Sequence, residues 1–206
     1  MIERTSLKKI NSLLNENLSW KVLDIGCGYT AHKRANVVAD TQNFKDYYEG
    51  KKKFILIQDK KLPFKDKEFD FVIASHVIEH VEDFPFFLSE LERISSKGYI
   101  ELPTRLGDNL IFENTTDHIW WFVFDDTDKK LLACKKNQNL EPFLSVASGK
   151  KISDMFRESF VLELIWKNKI DFKISDSFNN LNEKKISFLS IIKKYFSKRF
   201  RRLISK

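Results

Sequence analysis

The stretch VLDIGCGYT, residues 22–30, limits the fold more than any other part of the chain. Two of only six glycines in 206 residues stand one residue apart there, just after an acid set in an apolar run. A short apolar run that breaks on Gly-x-Gly reads as a buried strand leaving its sheet through a bend that needs backbone without a Cβ. Such a bend is either a plain tight turn or a cradle open to a ligand. The runs that follow bear on the choice. NVVAD is a second strand ending in Asp40, KFILIQD a third ending in Gln58-Asp59, FDFVIAS a fourth ending in Ala74-Ser75, and YIELP a fifth. Strands this short and apolar, alternating with helices or crossovers, predict a parallel sheet covered on both faces. Ligands of open parallel sheets sit at the carboxyl ends of the strands, where strand order reverses. Four consecutive strands end there in polar or small residues, and an Asp40 carboxylate at that rim can accept both hydrogen bonds of a ribose diol. A nucleoside cradle is therefore favoured over a bare turn. A dinucleotide fits less well: its fingerprint wants a third glycine where Ala31 stands, and only about eight residues separate Gly28 from the next strand.

Elsewhere the apolar spacing predicts a helix over residues 3–18, carrying Leu7, Ile10, Leu13, Leu14 and Leu18. A second helix is predicted over HVIEHVEDFPFFLSELERI, with Pro85 in its first turn and a left-handed Gly98 closing it. After Pro103 the rhythm changes. HIWWFVFDDTDKKLLACKK reads as two strands around an Asp-rich turn, and FVLELIWKNKIDFKI as another pair around Lys167–Lys169. A parallel sheet that finishes in antiparallel strands is the expected architecture.

The net charge of +7 is local. Residues 183–206 hold nine Lys/Arg and one Glu, leaving 27 basic and 28 acidic residues in the rest, so the body is neutral and no broad nucleic-acid face is implied. The expected division is a domain over 1–182 and a basic amphipathic tail over 183–206. In the tail Phe188, Leu189, Ile192, Tyr195, Phe196, Leu203 and Ile204 recur at helical spacing between Lys193, Lys194, Lys198, Arg201 and Arg202. That pattern suits a helix lying on an anionic membrane surface, and it competes with packing on the domain or gripping RNA phosphates. No run reaches the roughly 18–20 apolar residues of a membrane span, and the N-terminus lacks the apolar core of a secretion signal. A cytoplasmic location, peripheral on the inner membrane face through the tail, is the expectation. Cys27 and Cys134 are expected to be free thiols.

VLDIGCG, VVAD, LPFKDKEFDFVIASHVIEHVED and GYIELP, in this order, resemble the class I S-adenosylmethionine-dependent methyltransferases of the small-molecule type, over about residues 20–103. The resemblance implies an α/β fold: a mostly parallel, seven-stranded Rossmann-like sheet with a reversed final hairpin and helices on both faces. It implies S-adenosyl-L-methionine as cofactor, with Asp24, Gly26, Cys27 and Gly28 along its methionine part and Asp40 on the ribose. Gln58 stands where the family usually places an Asp at the adenine edge, with Asp59 next to it, and either side chain could bond that edge. Ser75 and His76 would approach the sulfonium.

Methyl transfer from a sulfonium mainly requires that the nucleophile be aligned and deprotonated. His76, His80 and His118 are the candidate bases. His76, Glu79 and His80 stand at i, i+3 and i+4 and share one face if helical. Two imidazoles and a carboxylate could form a zinc or iron set, but a structural pair bracing the neighbouring loop is preferred and no metal is assigned. His118 precedes Trp120 and Trp121, which either stack on a sugar or pack on opposite faces of a strand. Asp125, Asp126 and Asp128 read as a solvated turn. The expected function is O-methylation of a small or lipid-linked acceptor such as a glycan or its precursor. RNA methylation and a non-catalytic cofactor-binding or scaffold module are the alternatives.

Overall fold

The computed structural model describes residues 1–176, Phe178 and 187–204, with the backbone alone for 198, 199 and 201–204. The boundary expected at 182/183 lies outside the described residues. In chain order the strands are β1 (Ile2–Arg4), β2 (Val22–Ile25), β3 (Val37–Asp40), β4 (Lys53–Leu56), β5 (Phe71–Ser75), β6 (Lys97–Pro103), β7 (Trp120–Asp125), β8 (Lys130–Lys135), β9 (Val161–Lys167) and β10 (Phe172–Ile174). The helices are α1 (Leu7–Glu16), α2 (Lys45–Tyr48), α3 (Phe84–Ile94), α4 (Arg105–Leu110), α5 (Asn114–Asp117), α6 (Val146–Met155), α7 (Arg157–Phe160) and α8 (Phe188–Ile204).

Seven strands form one sheet in the order β1-β9-β6-β5-β2-β3-β4. From β6 to β4 all neighbours are parallel, and β9 runs antiparallel to both β6 and β1. The central strands are apolar almost throughout because the sheet is covered twice. On one face Ile10 and Leu14 of α1 meet Val22, Phe71, Ile73 and Tyr99. On the other, Phe84, Phe87, Leu88, Leu91 and Ile94 of α3 meet Leu23, Ile25, Val72, Ala74 and Ile100. Each such side chain, fully buried, contributes about 1.5–3 kcal/mol, so these two helices fix the sheet. Asp83 caps α3 by accepting from the Phe86 N–H, and Pro85 lies in its first turn, as the sequence predicts.

Three local expectations are corrected. The predicted helix over 3–18 begins only at Leu7, after Ser6 caps it; Ile2–Arg4 instead pairs with β9 as the sheet's edge. The expected final hairpin is divided. β9 enters the main sheet, whereas β10 crosses to pair with β8 in a second sheet, β10-β8-β7, where Phe172 packs on the edge of Phe84 with 5.4 Å between ring centroids. The seven-stranded count holds because the N-terminal strand fills the edge that a hairpin would have filled. Gly98 does not close α3. The helix ends at Ser95, whose N–H bonds to the Leu91 carbonyl, and Gly98 lies inside β6. Its role is close approach: an added Cβ would sit 2.4 Å from the Val72 carbonyl oxygen and 2.8 Å from Trp166 Nε1.

Gly98→Ala is therefore expected to lower stability by roughly 1–3 kcal/mol, the usual cost of overpacking a core. Urea denaturation measures it, and an unchanged midpoint would contradict the close approach.

Candidate active site

Chain order reverses between β2 and β5, the sheet's switch point, and the bends after these two strands meet there. Gly26 and Gly28 have φ of +70° and +45°. A Cβ on Gly26 would stand 2.2 Å from Val77 Cγ2, so only glycine lets the first bend pass beneath the residues after β5. Nothing lies within 4 Å of the corresponding position on Gly28. Asp40 turns toward this bend: its Oδ2 accepts from the Gly28 N–H at 3.0 Å and its Oδ1 from the Gln42 N–H at 2.9 Å.

A cavity of about 240 Å³ opens beside the bend, lined by Gly26, Asp40, Asp59, Leu62, Val77 and Phe87 among others. A second, of about 610 Å³, is lined by Thr30, Ser75, His76, His80, His118 and Arg157 among others. The consecutive residues Ser75, His76 and Val77 divide the two, with Val77 on the first and the other two on the second. Of the residues singled out in the sequence, Gly26, Asp40 and Asp59 thus come together at one cavity and Ser75, His76, His80 and His118 at the other.

The remaining four line neither cavity. Gln58 is exposed, which leaves Asp59 as the acid at that strand end. Asp24 is 5% exposed and accepts from the His32 N–H at 2.6 Å; burial pushes its carboxyl up to about 7 against the pull of that bond and of Lys52. Cys27 points its thiol into a small core with Val38, Phe44 and Tyr48, and burial raises its pKa to about 11. It is in no disulfide, and neither is Cys134. Gly28 shapes the bend, its carbonyl taking the Tyr48 hydroxyl at 2.8 Å.

His76, at φ +54°, has Nδ1 3.2 Å from Glu79 Oε1 and Nε2 3.2 Å from Glu101 Oε1. Both ring nitrogens face acceptors, so both carry protons. Burial disfavours this charge, but the Glu101 and Glu79 carboxylates outweigh it and push the pKa to about 10. An imidazolium has no lone pair to take a proton or hold a metal, and His76 drops out as a base. Burial likewise works against the Glu101 carboxylate, and bonds from His76 and Tyr99 with the charge of Arg157 hold it down at about 2. Glu101 faces Glu163 across β6 and β9, and Arg157 Nη2 joins them at 2.5 and 3.1 Å. These carboxylates escaped the sequence reading, although an acid inside YIELP or VLELIW was the available signal.

The Ile78–His80 segment is a single 3-10 turn, so the i, i+3, i+4 face does not form. His80 Nδ1 bonds the Asp117 carbonyl at 2.9 Å, and its ring meets that of His118 edge-on at 4.5 Å. His118 Nδ1 bonds Asp108 Oδ1, and Asp108 Oδ2 takes Trp121 Nε1 at 2.5 Å and Lys136 Nζ at 2.8 Å. Burial opposes the Asp108 charge, and the bonds from His118 and Lys136 lower its pKa regardless. Asp108 had no sequence signal beyond being one acid in RLGDN. Both tryptophans are buried, Trp120 against Phe84 and Trp121 against Asp108 and Arg105, so neither is a stacking platform for a sugar. Asp125 and Asp126 are held in the β7–β8 turn, the first by the Thr127 N–H and the second by Arg4 at 2.9 Å.

Residues 23–100 match a family model described as a methyltransferase domain. The match spans 78 of the chain's 206 residues and takes in the Gly26–Gly28 bend, Asp40, Asp59 and the Ser75–His80 turn. Among solved structures, the PH0226 protein from Pyrococcus horikoshii OT3 is 16% identical, with 79% of this chain and 89% of that chain covered and a TM-score of 0.47. A SAM-dependent methyltransferase from Archaeoglobus fulgidus is 17% identical, covering 79% of this chain and 94% of that one at a TM-score of 0.44. The trans-methyltransferase CalH in complex with SAH is 17% identical over 47% of this chain and 35% of that chain, at a TM-score of 0.39. No curated protein matches the sequence.

The His76 clamp carries a pH dependence with a defined sign. Its pKa rises from 6.5 to about 10 on folding, so its stabilisation is complete below about 6.5 and is lost as pH climbs through about 10. The melting-temperature gap between the wild-type chain and His76→Gln is expected to be widest near pH 6 and to narrow toward pH 10. A gap that widens with pH would contradict the clamp.

Proposed function

We propose that the protein transfers the methyl group of S-adenosylmethionine to a hydroxyl oxygen of a small or lipid-linked acceptor, such as a glycan or its precursor. One observation carries the reading: the two cavities meet at Ser75–His76–Val77. The adenosine lies in the smaller cavity, with its ribose diol on Asp40 and its adenine edge near Asp59. The methionine part passes Gly26–Gly28, and the sulfonium reaches the divide between the cavities. The larger cavity then receives the acceptor. Its lining of Glu101, Glu113, Asp117, Lys150 and Arg157 suits a polyhydroxyl compound better than an apolar one. His80 and His118 stand on this side, where the acceptor hydroxyl must lose its proton, and each ring presents Nε2 because its Nδ1 is taken.

The tail supports delivery of a lipid-linked acceptor. Helix α8 is fixed at its start, where Phe188 stacks on Phe143 at 5.0 Å and Glu141 accepts from the Phe188 N–H. Beyond it Leu189, Ile191, Tyr195, Phe196 and Phe200 are exposed, which disfavours packing on the domain. Exposed aromatics beside Lys193 and Lys194 complement an anionic lipid surface, and the acidic groups of the acceptor cavity make an RNA backbone a poor fit. Among the described residues no helix is long and apolar enough to cross a membrane.

Calorimetry with S-adenosylmethionine is expected to show one saturable site, weakened by about 1–3 kcal/mol in Asp40→Ala, the scale of a lost charged hydrogen bond. Unchanged affinity would move the ribose elsewhere. For the tail, vesicles with anionic lipid are expected to float the chain, and Lys193→Glu with Lys194→Glu to reduce that flotation at least tenfold; equal flotation would overturn the surface role.

A further inference from the structure

Among the described residues, Glu79, His80 and His118 each offer one ligand atom, and the three atoms lie within 4.8 Å of one another. Their hydrogen bonds decide which ligand atoms remain uncommitted. Asp108, whose Oδ2 already accepts from Trp121 and Lys136, also accepts at Oδ1, so His118 carries its proton on Nδ1 and keeps a lone pair on Nε2. The Asp117 carbonyl also only accepts, which fixes His80 in the same tautomer. Glu79 is 0% exposed; its Oε1 is spent on His76, while its Oε2 is buried with no hydrogen-bond partner. Each of the three residues therefore keeps one uncommitted ligand atom, two imidazole nitrogens and a carboxylate oxygen, and none of these is a donor. A buried carboxylate oxygen without a donor is costly, and a cation removes the cost.

We propose that Glu79, His80 and His118 bind one divalent transition-metal cation of the zinc class, with its open coordination positions facing the acceptor cavity. Two nitrogens and one oxygen suit such an ion better than magnesium or calcium, which favour all-oxygen shells. The supporting bonds are those that metal-binding histidines need: Nδ1 of one ring on a carboxylate and of the other on a backbone carbonyl. Bonds of about 2.0–2.2 Å place ligand atoms roughly 3.3–3.6 Å apart, so the three close in by at most about 1.5 Å on binding. His80 is exposed, which leaves room for that adjustment. This set excludes His76, whose two ring nitrogens are both taken by Glu79 and Glu101.

The ion's role rests on the methyltransferase reading, whereas its binding does not. In that role it holds the acceptor oxygen and lowers its pKa. The hydroxyl proton leaves to solvent, a C–O bond forms from the oxygen to the methyl carbon, and the C–S bond breaks to leave S-adenosylhomocysteine.

The full chain, stripped with a chelator, is titrated with Zn²⁺ by calorimetry and with Co²⁺ by visible absorption. One equivalent is expected to bind, with ligand-field bands for Co²⁺. Glu79→Gln and His118→Ala are expected to weaken uptake at least tenfold, while His32→Ala, a histidine outside the cluster, leaves it unchanged. Melting curves and S-adenosylmethionine binding of each variant confirm that it is folded. No saturable uptake by the wild-type chain, or uptake indifferent to both cluster variants, overturns the proposal. Metal uptake without cofactor binding would instead sink the methyltransferase reading and leave the ion site standing.

Discussion

Two like charges facing each other across a pair of strands are destabilising unless something of opposite sign stands between them. Glu101 and Glu163 face each other across β6 and β9, and Arg157 with Tyr99 holds them together. Glu101 reaches on to His76, and His76 to Glu79, so one chain of alternating charge runs from the sheet's interior to the turn after β5. Glu79, Glu101 and Glu163 are buried, so removing His76 or Arg157 strands a buried charge, which is the expensive direction. This chain sets where Val77 presses on Gly26 and where His80 meets His118. Both cavities take their shared wall from it.

The same chain sorts the histidines by chemistry. Held between two acceptors, His76 is locked as a cation at the boundary between the cavities. His80 and His118 each have one nitrogen fixed by an acceptor and the other free. Three residues of one type, all near the end of β5, are thereby sorted into two hydrogen-bonding states by their neighbours alone. A sequence motif can place the residues but not distinguish these states, because the deciding partners, Glu101, Asp108 and the Asp117 carbonyl, come from other elements.

The legible parts of the sequence are those where burial dictates composition. The strands from VLDI to YIELP stand out because a doubly covered parallel sheet tolerates little but apolar residues. Gly26, Gly28 and Asp40 are legible because a bend and a strand end need their particular backbone and charge. Ile2–Arg4 is not: three residues with one buried side chain leave no periodicity, and only β9 makes them a strand. Gly98 misleads because a glycine after a helix usually caps it, whereas here the carbonyl of Val72 and the indole of Trp166 need its missing Cβ. Cys27 sits inside the motif yet turns its side chain into the core, since only its backbone belongs to the bend. The final hairpin fails as an expectation because strand partners are set by which edges lie open, and β8 offered one to β10.

A crystal structure with S-adenosylhomocysteine bound tests the assignment of the two cavities most directly. The ribose hydroxyls should lie on Asp40, the adenine beside Asp59 and Phe87, and the sulfur at the Ser75–Val77 divide, pointing into the cavity of His80 and His118. A nucleoside bound away from Asp40, or a sulfur pointing away from the larger cavity, would contradict it.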